Sequence, residues 1–115
     1  MFKESTKVFR ALSDFNRLRI LKMLKNRSLY ACEIAHILHL AASTVSRHLA
    51  VLKEAEFIVE AREGKWIQFK HNMDPSDARV SYILSNLDFW IAQDEITEKD
   101  QEEAKKVDRF EICKL

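Results

Sequence analysis

Residues 30–55 read YACEIAHILHLAASTVSRHLAVLKEA, two helical periods on either side of a short break. In the first period Ile34, Ile37 and Leu38 fall on one side. In the second, Val45, Leu49 and Leu52 do. The intervening HLAA, residues 39–42, leaves room only for a tight turn. Two amphipathic helices joined in this way form a helix-turn-helix unit.

Upstream, residues 4–12 predict a short helix with Val8, Phe9 and Leu12 inward. Asp14 is placed to cap a second helix whose Leu18, Leu21 and Leu24 repeat at helical spacing. Downstream the period changes. Phe57, Ile58 and Val59, then Trp66, Ile67 and Phe69, flank REGK with the only glycine, Gly64, at its centre, a β-hairpin signal. Ser76 or Asp77 can cap a further helix through RVSYILSNLDFWIA. Its apolar set of Val80, Ile83, Leu84, Leu87, Trp90 and Ile91 is wider than a lone surface helix needs. From residue 94 the chain is mostly charged. Thr97 with Asp100 resembles a capping box for a polar helix, and FEICKL at 110–115 is apolar enough to dock. The order predicts a mainly α fold with a β-hairpin wing, a winged helix-turn-helix over residues 1–93, followed by a charged C-terminal helix or tail over 94–115.

The 115 residues suffice for one domain. The charge is asymmetric. Residues 1–75 hold 13 Lys and Arg against 8 Asp and Glu, a net of +5, whereas residues 76–115 hold 6 against 10, a net of −4. A basic front suits a polyanion, and an acidic back suits a dimer face or solvent. No apolar run approaches the ~20 residues of a membrane span, and no signal-peptide core opens the chain. We expect a soluble cytoplasmic protein whose Cys32 and Cys113 are reduced thiols.

On the wheel, Ser43, Ser46, Arg47 and Ala50 lie opposite Val45, Leu49 and Leu52. Small side chains let a helix approach a groove closely, and Arg47 can fork onto guanine or a phosphate. Thr44 and His48 flank this face, and the hairpin offers Arg62 and Lys65 to a nucleic-acid backbone. The set Ser43, Thr44, Ser46, Arg47, His48, Arg62 and Lys65 is the expected DNA-binding surface. A winged helix used for protein contact is the alternative, and it would want an apolar or acidic face here. An enzyme is not expected: there is no Gly-rich phosphate loop or nucleophile–base pair, and His36, His39, His48 and His71 share no evident pocket.

LSDFNRLRIL, STVSRHLAVLKEAEFI and REGKWIQFK together resemble the signature blocks of the ArsR/SmtB family of bacterial winged-helix repressors, its arsenic-responsive branch most. The resemblance spans residues 8–70 in family order. It implies a homodimer built on the first and fifth helices, binding of double-stranded operator DNA with an inverted repeat, and release by an inducer. On that reading Val80, Ile83, Leu84, Leu87 and Trp90 form the dimer face. Two departures matter. His39 stands where the family has glycine in the turn, which asks for φ > 0 at a histidine. Ala41 and Ala42 replace a capping Ser and its Gln, leaving Ser43 as the next residue able to cap.

The resemblance also implies a sensor. Arsenic-responsive relatives carry three cysteines at positions that map to Tyr30, Cys32 and Ala35, so one thiolate of three remains. Chelation of As(III) or a soft divalent metal needs partners, and His36, one turn on, and Cys113, if the tail folds back, are the candidates. No cofactor is otherwise expected. A regulator that has lost metal sensing is the alternative, and a redox dithiol would require the two cysteines to lie within about 7 Å between Cα atoms. The family's interhelical Zn(II) or Ni(II) site is excluded, because Arg79, Trp90 and Gln93 occupy its ligand positions after Asp77.

Overall fold

The computed structural model describes residues 2–108 and 112–113. Helices α1 (Phe2–Leu12) and α2 (Phe15–Met23) lead through a two-residue strand, β1 (Leu29–Tyr30), into α3 (Ala31–Leu38) and α4 (Ala42–Glu54). The hairpin β2 (Ile58–Glu63) and β3 (Trp66–His71) follows, then α5 (Ala78–Ser85), α6 (Leu87–Trp90) and α7 (Glu95–Lys106). The sheet order is β1-β3-β2, all antiparallel, so β1 adds a third strand that the sequence did not announce.

Local chemistry sets most boundaries. Asp14 caps α2, accepting from the amides of Asn16 at 2.8 Å and Arg17 at 3.2 Å. α3 starts where Glu33 reaches back to the Tyr30 amide at 2.9 Å. It ends at His39, which adopts φ 57° and ψ 42°, the left-handed turn expected of that position. Gly64 turns the hairpin at φ 61°, opposite the register pair Glu63–Trp66. Glu56, at φ 69°, is a second left-handed residue. Its carboxylate accepts from the amide and hydroxyl of Ser76, at 2.9 and 2.6 Å, which pulls its pKa down.

The core gathers Val8, Ile20, Leu21, Leu24, Leu29, Ile34, Val45, Leu49, Leu52, Phe57 and Ile58. Two expectations are corrected here. The helix through residues 79–92 breaks at Asn86 into α5 and α6. In the same region Val80, Ile83 and Leu87 are buried in the chain's own core, with Leu84 packed at its edge, so the stripe does not stand without a partner; of that set Trp90 is exposed. The exposed large apolar residues are instead Phe9, Phe15, Met73, Tyr82, Phe89, Trp90 and Ile96.

The second correction concerns the charged segment. α7 is capped by Asp94, whose carboxylate accepts from the Thr97 amide at 2.8 Å while the Thr97 hydroxyl accepts from the Asp94 amide at 3.0 Å. Asp100 is therefore free of the cap and instead takes Arg19 of α2 bidentately, at 2.8 and 3.0 Å. Arg27 donates to the Ala104 and Val107 carbonyls and lies 3.7 Å from the buried Glu33. Burial pushes the Glu33 carboxyl up, and Arg27 opposes this. Thr97, Asp100, Ala104 and Val107 are buried, so α7 docks on α2 and α3 rather than standing in solvent. Of residues 110–115, expected to dock, Ile112 packs on the core and Cys113 is buried; the others lie outside the described residues.

Lys22 is wholly enclosed. Its ammonium donates to Asp88 at 2.9 Å and to the Ile91 carbonyl at 3.1 Å, and Lys25 also pairs with Asp88. The hydrogen bond from Lys22, then that from Lys25, holds the Asp88 carboxyl down at about 2.

His71, on β3, lies with Nε2 2.8 Å from the Leu21 carbonyl. Burial pushes its pKa below the ordinary 6.5; the Leu21 contact opposes this and Lys25 adds to it. A depressed folded pKa means the unfolded chain takes up the proton first, so the neutral His71 supports the fold above pH 6.5 and that support is lost as pH falls below it. The urea midpoint is expected to drop between pH 7.5 and pH 5.5, and to drop less in His71→Gln. Equal slopes for the two proteins would remove His71 from the account.

Candidate nucleic-acid interface

α4 is oriented by burial. Val45 and Leu52 are fully enclosed and Leu49 nearly so. This turns Ser43, Ser46, Arg47 and Ala50 to solvent along one face, with Thr44 half-buried beside them. Ser43 does not cap the helix. α4 starts at Ala42, with Ala41 at the cap position and no side chain on its first amides. Those amides and the helix dipole favour an anion at this end.

His48 is half-buried, with Nδ1 3.2 Å from Arg17 Nη1 and Nε2 4.0 Å from Asp14. Arg17 is fixed in turn by the Ala11 and Arg10 carbonyls, at 2.9 and 2.8 Å. His48 thus braces α4 against α2, and a side chain so engaged is not presented to a groove.

The wing carries Arg62 at the end of β2 and Lys65 in its two-residue turn, both exposed. It is anchored where the Trp66 ring meets Tyr30 edge-on, with centroids 5.6 Å apart, and where Lys53 of α4 pairs with Glu60 of β2 at 3.0 Å. Sequence reasoning missed this anchoring role of Tyr30 and Trp66. The signal was there in an aromatic directly before the α3 helix and another at the hairpin, but pairing them required β1.

Two clefts flank α3. One, of about 380 Å³, lies between the start of α3, α4, the wing and the tail. It is lined by Tyr30, Cys32, Ser46, Lys65, Trp66 and Cys113. The other, of about 420 Å³, lies between α3 and α7 and is lined by Arg19, His36, His39, Lys99, Asp100 and Glu103. Cys32 and Cys113 stand 5.5 Å apart between Cα atoms and are joined as a disulfide, correcting the expectation of two reduced thiols. His36 opens on the other cleft, its ring 6.4 Å from that of His39. His36, one turn along α3 from Cys32, does not line the cleft that Cys32 and Cys113 share. Among the described residues no group of three or more His, Cys, Asp or Glu is placed to hold a metal ion. The donor set does not fit a chelated As(III) or soft-metal site.

A helix-turn-helix pair whose second helix shows small and basic side chains, next to a hairpin with a basic tip, defines a winged helix-turn-helix DNA-binding protein. Comparison with known proteins narrows this. The family described as "Bacterial regulatory protein, arsR family" matches residues 14–59. The arsenic resistance transcriptional regulator ArsR1 of Pseudomonas putida KT2440 is 33% identical over 91 residues, covering 76% of this chain and 71% of the relative. The transcriptional repressor SdpR of Bacillus subtilis 168 is 33% identical over 78 residues, covering 68% and 87%. HlyU from Vibrio cholerae N16961 superposes with a TM-score of 0.65 at 23% identity over 79% of this chain and 95% of that one, which speaks to the fold. The chain belongs to the arsR family of bacterial regulatory proteins. It is a DNA-binding transcriptional regulator and not an enzyme.

Proposed function

We propose that this chain is a cytoplasmic, homodimeric repressor that binds an inverted-repeat operator and leaves it when an inducer acts. The observation that carries the reading is the outward row Ser43, Ser46 and Arg47 on α4, beside Arg62 and Lys65 of the wing. Among the described residues no helix is long and apolar enough to cross a membrane, which is compatible with a cytoplasmic site. Phe9, Tyr82, Phe89 and Trp90, all exposed on α1, α5 and α6, support a second copy as partner. We assign no metal as inducer. ArsR1 is described as an arsenic resistance regulator, but among the described residues no third His, Cys, Asp or Glu is grouped with Cys32 and Cys113 to hold a metal ion.

A two-fold dimer reads half-sites about one helical turn apart, roughly 10–10.5 bp between centres. Arg47→Ala is expected to weaken operator binding by roughly 1–3 kcal/mol and to relax the base preference it reads. Lys65→Ala is expected to weaken all sequences alike and to lower the salt slope by about one. Fluorescence titrations of operator and scrambled duplexes at several salt concentrations separate the two. Unchanged operator affinity in Arg47→Ala would mean that α4 does not read bases.

A further inference from the structure

Three features remain outside this account. The cleft between α3 and α7 holds His36, His39, Asp100 and Glu103, but Asp100 is committed to Arg19. The hollow lined by Lys7, Glu54, Glu56, Asp77 and Arg79 is consumed by internal pairs, Lys7–Glu54 at 3.4 Å and Arg79–Asp77 at 2.8 Å. The third is the cysteine pair.

Cys32 and Cys113 are the only cysteines of the chain, and 81 residues separate them. Folding brings them to 5.5 Å between Cα atoms, within the range a disulfide spans without backbone movement. The place is specific. Ile112 and Cys113 lie in the cleft whose other walls include Ala42 and Ser46 of the recognition helix and Lys65 and Trp66 of the wing. The tail is led there by α7, which Arg19 and Arg27 hold on the helix-turn-helix.

We propose that Cys32 and Cys113 form a thiol–disulfide exchange site whose oxidised state clamps the tail between recognition helix and wing and so lowers affinity for DNA. This rests on the DNA-binding reading above. The co-reactant class is a low-molecular-weight disulfide. Cys32, the more exposed of the two, attacks as thiolate and expels one small thiolate, leaving a mixed disulfide. The Cys113 thiolate then attacks the Cys32 sulfur and expels the second. Two cysteine thiols are oxidised, one small disulfide is reduced to two thiols, and two protons accompany the leaving thiolates. The clamp acts because a duplex seated on both Ser46 and Lys65 must cross the cleft that Ile112 and Cys113 wall. Reduction removes the covalent link that ties Cys113 to α3 across this cleft.

The test uses the full chain with chelator present, so that no metal contributes. Operator affinity is measured for wild type, Cys32→Ser and Cys113→Ser, each reduced and each equilibrated with oxidised glutathione. Mass spectrometry under non-reducing conditions reports the bond. Oxidised wild type is expected to lose roughly 5- to 150-fold in affinity, to regain it with dithiothreitol, and to carry one intramolecular bond, while Cys32→Ser keeps its affinity and Cys113→Ser stops at the mixed disulfide on Cys32 without an intramolecular bond. Equal affinity of the reduced and the disulfide-bonded wild type would overturn the proposal, as would failure of the intramolecular bond to form. A reduced wild type that binds no duplex in a selection from random sequence would overturn the DNA-binding reading itself, and the clamp with it.

Discussion

Phe89→Asp combined with Trp90→Asp is expected to leave a folded monomer. The two rings meet edge-on with centroids 5.4 Å apart, and they are 80% and 53% exposed, so the chain's own core loses little without them. Tyr82, one turn before the break at Asn86, is likewise exposed, and Arg79 of α5 reaches Ser5 of α1, so α1 and α5 are tied together. Burying such a ring is worth roughly 1.5–3 kcal/mol, and a two-fold interface counts each change twice. The double variant should weaken self-association by about 6 kcal/mol or more, on the order of 10⁴ in dissociation constant. Operator binding should fall with it, since one protomer reads only one half-site. Sedimentation at micromolar concentration with a circular dichroism spectrum checks both terms. Retention of dimer mass by the folded variant would place the interface elsewhere. Leu87→Asp is a poor substitute, because Leu87 is 1% exposed and its replacement would break the monomer.

Leu87 also marks where the sequence stops being legible. A helical stripe announces that one face is apolar, not what covers it. Val80, Ile83 and Leu87 look like interface on a wheel, and they turn inward because the chain breaks at Asn86 and packs back on itself. Short-range chemistry read well. Asp14 caps α2, His39 takes the left-handed turn, and Gly64 turns the wing, each a demand the local backbone makes on one residue. The left-handed Glu56 gave no such notice, because its support comes from Ser76, twenty residues on. The solvent-facing row on α4 was legible for the same reason as its core side: both follow from one period of 3.6. The meeting of Cys32 with Cys113 depends on how α7 returns across α2 and α3. Spacing along the chain does not encode that path.

That return rests on Arg19 and Asp100, and Asp100→Ala is expected to be among the most destabilising single changes outside the apolar core. The Asp100 side chain is 5% exposed and Arg19 16%, and the bidentate pair raises the Arg19 pKa through the hydrogen bond itself. Removing the carboxylate leaves the guanidinium with Asn16 at 3.2 Å and the Phe15 ring at 5.6 Å, neither of which neutralises it. Breaking a buried pair from one side typically costs about 3–5 kcal/mol, and for a domain of this size that lowers the melting midpoint by about 10–20 °C. The double change Arg19→Leu with Asp100→Leu should recover much of the loss, because it removes both desolvated charges and keeps volume. A melting midpoint for reduced Asp100→Ala equal to wild type would show that the pair contributes nothing net. The consequence reaches the cysteines. With α7 loosened, Cys113 is no longer delivered to Cys32, so the reduced Asp100→Ala chain should form the intramolecular bond more slowly with oxidised glutathione. In the Leu–Leu double variant the rate should return, because what the cysteines require of α7 is its position and not its charge.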